Sequence, residues 1–169
     1  MRALQVNLKQ EVTRNDAVAI MDWMENYEVT QYLNEVADVS TQIKRAIEQV
    51  NMVIMTHLFN RNGSFYMIYT KENHPVGFIK LIHNMNEAEM VIVIGDKMKW
   101  GQGIGTQAIR QGLNQAFFEW RKHKVIAKID ERNTRSIHAF IKSGFQFVGK
   151  KNNCNIYNIT MEDYIKRSL

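Results

Sequence analysis

Seven short segments of the chain have the apolar spacing that predicts β-strands, either alternating with polar residues or running together. They lie at residues 2–8, 64–70, 76–83, 88–94, 124–130, 145–149 and 155–161. Three of them follow one another closely, because only the turn-forming stretches from Glu72 to Pro75 and from Asn84 to Glu87 separate them. This succession predicts a meander of three strands.

The first half of the chain also contains two segments whose apolar residues recur at helical spacing. The pair Asn15 and Asp16 is predicted to cap a helix that runs to about Asn26. A second helix is predicted to begin at Ser40 or Thr41. Its inner face would carry Ile43, Ile47, Val50, Ile54 and Leu58.

Two further helices are predicted in the second half of the chain. One follows a cluster of glycines and runs to about Arg121. The other begins at Asn133 or Thr134, runs to about Lys142 and ends at Gly144, where left-handed backbone is needed. The resulting order β-α-α-β-β-β-α-β-α-β-β predicts a mixed sheet with helices on both sides, an α/β or α+β domain.

Length and composition restrict the class of protein. A chain of 169 residues suits one core, so we expect residues 1–169 to form a single domain. The composition, 45% hydrophobic and 23% charged, is typical of soluble proteins, and no apolar run is long enough to span a membrane. The N-terminus lacks a signal-peptide core, and Cys154 is the single cysteine. These features predict a cytoplasmic protein.

The charge is unevenly distributed along the chain. The net formal charge is +5 and the pI about 9.3, which is compatible with phosphate-bearing partners. Between Arg14 and Lys44, a window that includes the irregular-looking residues 27–39, there are six acidic residues and no basic one, so the remainder carries +11. The acidic residues are Asp16, Asp22, Glu25, Glu28, Glu35 and Asp38. The window predicts either a solvated helix face or a negative lip that attracts a cation.

The glycine cluster reads KWGQGIGTQA over residues 99–108 and lies between a predicted strand and a predicted helix. The first N–H groups of such a helix have no intrahelical partner, and the helix dipole adds positive potential there. Glycine lets a phosphate approach the backbone, while Lys97 and Lys99 add charge and Thr106 adds a hydroxyl. The stretch therefore predicts an anion site, and a plain turn is the alternative.

Two well-known phosphate loops do not match this stretch. A Walker loop ends in Gly-Lys-Ser/Thr, whereas Gly105 is followed by Thr106 and Gln107. A dinucleotide loop needs G-x-G-x-x-G, whereas Gly101, Gly103 and Gly105 give G-x-G-x-G. A nucleoside triphosphatase and a Rossmann enzyme are therefore disfavoured.

The stretch from Ile94 to Thr106 closely resembles the acetyl-CoA loop of GNAT N-acetyltransferases, in particular the branch of spermidine and ribosomal-protein N-terminal acetyltransferases. A second segment, NTRSIHAFIKSGF at residues 133–145, resembles the family's N-x-x-S-I-x-x-Y-x-x-x-G-F motif. The resemblance covers residues 2–162. It implies a mixed, mostly antiparallel sheet of six or seven strands, about four flanking helices, and a splay between strands four and five.

The resemblance also implies acetyl-CoA as co-substrate. The pyrophosphate is expected on the backbone N–H groups of residues 102–106, and the pantetheine arm along the fourth strand and the start of the last predicted helix. The expected cofactor-binding residues are Val93, Ile94, Gln102, Gly103, Ile104, Gly105, Thr106, Asn133 and Ser136. A plain helix cap is the alternative role of Asn133. We expect no metal site, because the five histidines are dispersed without ligand spacing.

The chemistry that the family implies is direct attack of an amine on the thioester, which requires a base because a protonated amine is no nucleophile. Glu89 matches the family's position for a base or amine anchor, and a rim carboxylate without a role is the alternative. Phe140 replaces the family's acidic tyrosine, so either the thiolate leaves with help from water or backbone, or another group substitutes as the acid. The candidates for such a group are Tyr157 and Cys154.

The predicted function is acetyl transfer to a primary amine of a cationic acceptor such as a polyamine, an aminoglycoside or another small amine, or a basic protein N-terminus. An acyl-CoA-binding module without efficient transfer is the alternative, suggested by Phe140. Nucleic-acid binding is not expected, because no basic cluster is interleaved with aromatic residues. The sequence is compatible with a homodimer.

Overall fold

One mixed sheet organises the part of the chain that the computed structural model describes, residues 4–33, 39–49, 51–61 and 63–169. Its seven strands are β1 (Val6–Lys9), β2 (Ser64–Thr70), β3 (Pro75–Asn84), β4 (Glu87–Ile94), β5 (Lys124–Asp130), β6 (Gln146–Lys151) and β7 (Cys154–Thr160). The order across the sheet is β1-β2-β3-β4-β5-β7-β6. All neighbours are antiparallel except β4 and β5, which are parallel. The predicted fold class is confirmed.

The helices cover both faces of this sheet. They are α1 (Arg14–Glu25), α2 (Tyr27–Thr30), α3 (Val39–Gln49), α4 (Thr56–Phe59), α5 (Ile104–Asn114), α6 (Thr134–Lys142) and α7 (Met161–Ser168). Helices α5 and α6 contribute to the apolar core on one face, and α1 and α3 to a separate core on the other. None of the described helices is long and apolar enough to cross a bilayer.

Helix α1 begins two to three residues earlier than the predicted cap at Asn15 and Asp16 implied. Thr13 is the N-cap, and Asp16 completes a capping box with it, so each side chain bonds the other residue's backbone N–H. Asp16 is 2% exposed, and it also accepts a hydrogen bond from the Tyr69 hydroxyl. Burial and this bond to Asp16 raise the pKa of Tyr69.

The second predicted helix is shorter than its apolar spacing suggested. Helix α3 ends at Gln49, and Ile54 instead forms a β-bridge with Thr13, while Leu58 lies on the separate helix α4. The backbone pairing of Ile54 with Thr13 therefore outweighs the apolar spacing that placed Ile54 in the helix. Val50 lies outside the described residues.

The third predicted helix changes its winding before its end. Helix α5 stops at Asn114 and continues as one π-helical turn, Gln115–Glu119. Trp120 follows this turn, and its indole N–H donates to the Tyr66 hydroxyl at 2.9 Å.

Three of the helices in the described ranges, α2, α4 and α7, were not predicted from the sequence. The short α2 and α4 have too few residues to show a period, and α7 begins inside the segment interpreted as the last strand. Thr160 caps α7 by accepting from the Asp163 backbone N–H, a local signal that the sequence does contain.

Helix α5 is fixed to the outer edge of the sheet by two glutamines one turn apart. Gln107 bonds the backbone of Leu4 and Val6, and Gln111 bonds that of Val6 and Leu8. These bonds satisfy the free edge of β1, which would otherwise expose unpaired groups. They also fix the position of the helix whose N-terminus lies beside the glycine loop.

A polar cluster lies below the other end of α5. Ser64 Oγ and His83 Nε2 are 2.7 Å apart, and the His83 ring packs on Trp120 with centroids 4.6 Å apart. His83 Nδ1 is shielded from solvent and has no hydrogen-bond partner among the described residues. Burial, together with the nearby Lys122 ammonium, lowers the pKa of His83.

We predict that His83 makes the protein sensitive to acid. Its pKa is lower in the folded protein than in the unfolded chain, so below about pH 6.5 the unfolded state binds more protons and stability falls. In His83→Gln, which retains a partner for Ser64 but does not titrate, urea unfolding at pH 7.5, 6.5 and 5.5 should show a smaller loss of stability. Equal losses in both proteins would rule out His83 as the source.

Candidate active site

The site begins where β4 and β5 stop pairing. In the parallel pairing, Glu87 lies opposite Lys124, Ala88 opposite Val125, and Glu89 opposite Ile126. Beyond Glu89 the two strands separate. The predicted splay between the fourth and fifth strands is therefore present.

Successive residues of β4 direct their backbone N–H and C=O groups alternately towards β3 and towards the gap. The Asn86 carbonyl accepts from the backbone N–H of His123, the residue before β5, whereas the Gly95 N–H donates to the Val76 carbonyl on β3. The even-numbered residues Met90, Ile92 and Ile94 therefore direct their N–H and C=O groups towards the gap, and Val93 pairs with β3.

A cavity of about 270 Å³ lies beside the end of β4, where the strands have separated, and continues past the glycine loop to the start of α6. Part of its wall is formed by Val29, Tyr32 and Leu33, in and just after helix α2. Its basic lining residues lie on the glycine loop and on α6. Its remaining lining residues are Ile92, Val93, Ile94, Lys99, Trp100, Gly101, Gly103, Ile104, Gly105, Thr106, Asn133, Arg135, Ser136, His138, Ala139 and Lys142.

The glycine loop has the backbone conformation that an anion site requires. Gly101 and Gly103 have φ of 76° and 78°, in the left-handed region that favours glycine. Gly103 is the N-cap of α5 and offers no side chain to the first N–H groups of that helix. Those N–H groups are therefore open to a ligand in the cavity.

Trp100 and Arg135 join this loop to helix α6. The Trp100 indole N–H donates to the Ile94 carbonyl at 2.8 Å, so one of the groups facing the gap already has a partner. The Arg135 guanidinium lies 3.5 Å from the centre of the Trp100 ring, a cation–π contact. Burial lowers the pKa of Arg135.

Helix α6 contributes a basic stripe along the cavity wall. Arg135, His138 and Lys142 are spaced i, i+3 and i+7, and all line the cavity. Sequence reasoning did not select these three residues, although helical spacing from Asn133 onwards could have identified them. The positive charges of Arg135 and Lys142 suit a ligand with several phosphates.

Asn133 and Ser136 lie at the start of the same helix. Asn133 is the N-cap, and its Oδ1 accepts from the Ser136 backbone N–H at 3.3 Å. The cap uses the amide oxygen, so the Nδ2 donor can bind a ligand in the cavity that both residues line.

Comparison with known proteins identifies the family. A family model described as an acetyltransferase (GNAT) domain matches residues 8–146. The chain belongs to the GNAT acetyltransferase family. It is therefore an N-acetyltransferase that uses acetyl-CoA as co-substrate, and the predicted family is confirmed.

Relatives and solved structures agree with this membership. The uncharacterized N-acetyltransferase p20 of Bacillus licheniformis is 27% identical over 140 residues, 79% of this chain and 75% of that protein. A spermidine N-acetyltransferase from Vibrio cholerae in complex with CoA and spermine has a TM-score of 0.76 at 18% identity, covering 95% and 98% of the two chains. An aminoglycoside acetyltransferase AAC(6')-Ib with coenzyme A has a TM-score of 0.77 at 15% identity, covering 98% and 100%.

The structure places most of the expected cofactor-binding residues of this GNAT protein around the cavity. Gln102 is the exception, because it is exposed and its side chain donates to the Met98 carbonyl at 2.9 Å. Val93 lines the cavity, but its backbone groups face β3, so Ile92 is better placed than Val93 to pair with a ligand in the gap.

The two candidate catalytic residues lie on opposite faces of the sheet. Glu89 is opposite Ile126, on the face away from α5, and its carboxylate is 3.4 Å from the Lys128 ammonium. Tyr157 is opposite Ala127 in the core beneath α5, is 4% exposed, and accepts from the Asn155 side chain at 3.3 Å. The structure does not bring the pair together, and neither lines the cavity.

The acidic window is dispersed in the folded GNAT domain. Asp16 is buried against Tyr69, and Glu28 pairs with Lys97 at 3.3 Å. Asp22 and Glu25 are exposed on α1, while Glu35 and Asp38 lie outside the described residues. None of the four described carboxylates lines the cavity.

The turn between β4 and the glycine loop is held by α1. The Trp23 ring packs directly on Gly95, where a Cβ would lie only 2.1 Å from the ring. A side chain at this position would therefore displace Trp23. This contact fixes the direction in which the chain enters the loop.

We predict that Gly103→Asp greatly reduces CoA binding while the protein still folds. A carboxylate at the N-terminus of α5 would repel phosphate, whereas both Asp and Asn tolerate positive φ. Titration calorimetry with CoA should show at least tenfold weaker binding for Gly103→Asp than for Gly103→Asn, its uncharged match. Similar affinities in the two variants would contradict phosphate binding at this loop.

Proposed function

We propose that this GNAT enzyme transfers the acetyl group of acetyl-CoA to a primary amine of a cationic acceptor, such as a polyamine, another small amine or a protein N-terminus. The observation that carries the proposal is the separation of β4 from β5 beyond Glu89. The basic cavity lies along the end of β4 after this point, and the Glu89 carboxylate lies at the last paired position, on the face of the sheet away from α5. The phosphate end and the amine end of the reaction would thereby be kept apart.

The proposed donor position follows the cavity. The pyrophosphate would rest on the first N–H groups of α5, with Arg135, His138 and Lys142 near the phosphates. The pantetheine amides would pair with the unpaired backbone groups of Ile92 and Ile94, in the place of a missing strand. Asn133 and Ser136 would bind the same arm from α6.

The proposed reaction is a direct displacement. The amine nitrogen attacks the thioester carbonyl carbon, the N–C bond forms and the C–S bond breaks, so the products are an acetamide and coenzyme A. Backbone N–H groups of β4 that face the gap would stabilise the carbonyl oxygen as negative charge develops on it. One proton leaves the amine and one reaches the departing sulfur.

Glu89 is the proposed amine anchor and proton acceptor. It lies at the last paired position of β4, where the thioester end of a donor in the gap would arrive. Phe140 cannot supply a proton to the sulfur, because its phenyl ring has no acidic hydrogen. The ring is buried in the core and packs edge-on against Phe145. Tyr157 therefore stays the sequence-based candidate, with water as the alternative proton source.

The acceptor class is supported by the chemistry of structural neighbours. The Vibrio cholerae enzyme was crystallised with spermine, and the aminoglycoside acetyltransferase was crystallised with coenzyme A and kanamycin. Both of these bound molecules carry several amines that are protonated at neutral pH, and at least two of those amines are primary. The basic balance of this chain does not oppose such acceptors, because the basic side chains of the cavity lie on the glycine loop and on α6, where we place the phosphates.

The proposed activity can be tested by following free thiol released from acetyl-CoA in the presence of single amines. Spermidine, kanamycin and a peptide with a free N-terminus should be compared with their fully acetylated forms. Acetylated product detected by mass spectrometry with at least one free amine supports the proposal. CoA binding without thiol release for any amine would instead indicate a binding module.

We predict that Glu89→Gln lowers kcat by about tenfold or more at neutral pH, because a general base contributes roughly 10²–10⁴-fold to rate. The affinity for CoA should change less than twofold, since Glu89 does not line the cavity. Steady-state kinetics and CoA titration measure the two effects separately. Wild-type kcat in this variant would remove Glu89 from the mechanism.

A further inference from the structure

An ion pair closes the base of the splay on the face away from the phosphates. Lys128 is the first residue of that face of β5 beyond the last paired residue, Ile126. Its ammonium nevertheless reaches back to Glu89 on β4, at 3.4 Å. The Lys128 side chain therefore crosses the gap between the two strands, at the point where an acceptor would meet the thioester.

The neighbouring carboxylates on the same face are paired as well. Glu87 lies 3.5 Å from Lys124, and Asp130 lies 2.9 Å from Arg132. The hydrogen bonds from Arg132 lower the pKa of Asp130, which keeps that carboxylate charged and engaged. On the described part of this face of β4 and β5, each carboxylate therefore has a cationic partner. A cationic acceptor must displace one of these partners to bind a carboxylate there.

The pair at Glu89 can be opened at low cost. The Lys128 side chain is 48% exposed and that of Glu89 is 27% exposed, so water screens their attraction. Lysine also has a long flexible side chain with a compact charge, and it can move its ammonium into solvent without breaking other contacts. The bidentate contact between Asp130 and Arg132, by comparison, is geometrically fixed.

We propose that Lys128 occupies the place of the acceptor ammonium on Glu89 and is displaced when the acceptor binds. This inference rests on the proposed function, because it assumes that an amine reacts beside Glu89. The ammonium of the acceptor takes the place of the Lys128 ammonium beside Glu89, so this carboxylate still has one cationic partner. The ammonium then passes a proton to Glu89 or to water, and the neutral amine attacks.

Lys128 thereby determines specificity. When an acceptor displaces Lys128, its own contact with Glu89 must make up for the lost Lys128–Glu89 ion pair. Protonated amines that belong to a polycation are therefore favoured as acceptors. Removing the Lys128 charge removes the competitor and also reduces repulsion of any cationic acceptor. The affinity for such acceptors should rise, and the chemical step should stay nearly unchanged.

The test compares Lys128→Gln with Lys124→Gln, which breaks the equivalent pair at Glu87 two residues away from the proposed anchor. We expect Lys128→Gln to lower KM for spermidine about two- to fivefold with kcat within twofold, since exposed pairs contribute little. Lys128→Arg and Lys124→Gln should keep the wild-type KM. In the background of Glu89→Gln, the substitution Lys128→Gln should no longer lower KM, because the shared carboxylate is gone.

The outcomes separate this inference from the proposed function. Turnover of spermidine with the same or a higher KM in Lys128→Gln overturns the inference and leaves the activity intact. If no amine is acetylated, calorimetric titration of spermidine into the CoA-bound protein makes the same comparison through Kd. A Kd that is unchanged between Lys128→Gln and Lys124→Gln, or no binding to either, overturns the inference.

Discussion

Parallel pairing between β4 and β5 stops at Glu89 and Ile126, and the backbone groups beyond that point require other partners. A buried amide group left without a hydrogen bond costs about 1–3 kcal/mol. The backbone groups that lose their partners where the sheet opens must therefore find other hydrogen bonds. The protein supplies one of these hydrogen bonds itself, because the Trp100 indole N–H donates to the Ile94 carbonyl. The remaining groups of Ile92 and Ile94 are the ones that an extended amide-containing ligand can complete.

The same gap brings together two surfaces with different electrostatics. On one side the start of α5 and the basic stripe of α6 favour phosphates, and Arg135 is held on Trp100 in a partly desolvated position. On the other side Glu89 lies in a face of paired charges, with Lys128 across the gap. A polyanionic donor and a cationic acceptor can therefore approach one reaction centre without competing for the same groups.

Much of this protein can be predicted from short stretches of sequence, because the signals are local. The strands at 64–70 and 124–130 have the predicted bounds, and Asn133 caps the helix that it was expected to begin. The glycine loop was recognisable because its neighbours along the chain are a strand and a helix. Helix ends were less predictable where distant backbone competes, as when Ile54 pairs with Thr13 instead of extending α3.

The sequence by itself determined the order of the seven strands and the four longest helices, the family and the loop at the start of α5. Only the tertiary structure decided which side chains meet: that Asp16 is buried on Tyr69 and does not line the cavity, that Arg135 stacks on Trp100, and that Lys128 faces Glu89. Periodicity states which face of a strand a residue occupies, but not where a neighbouring strand diverges. Charge and reactivity at the site depend on that divergence, and it results from packing between segments that are far apart in the chain.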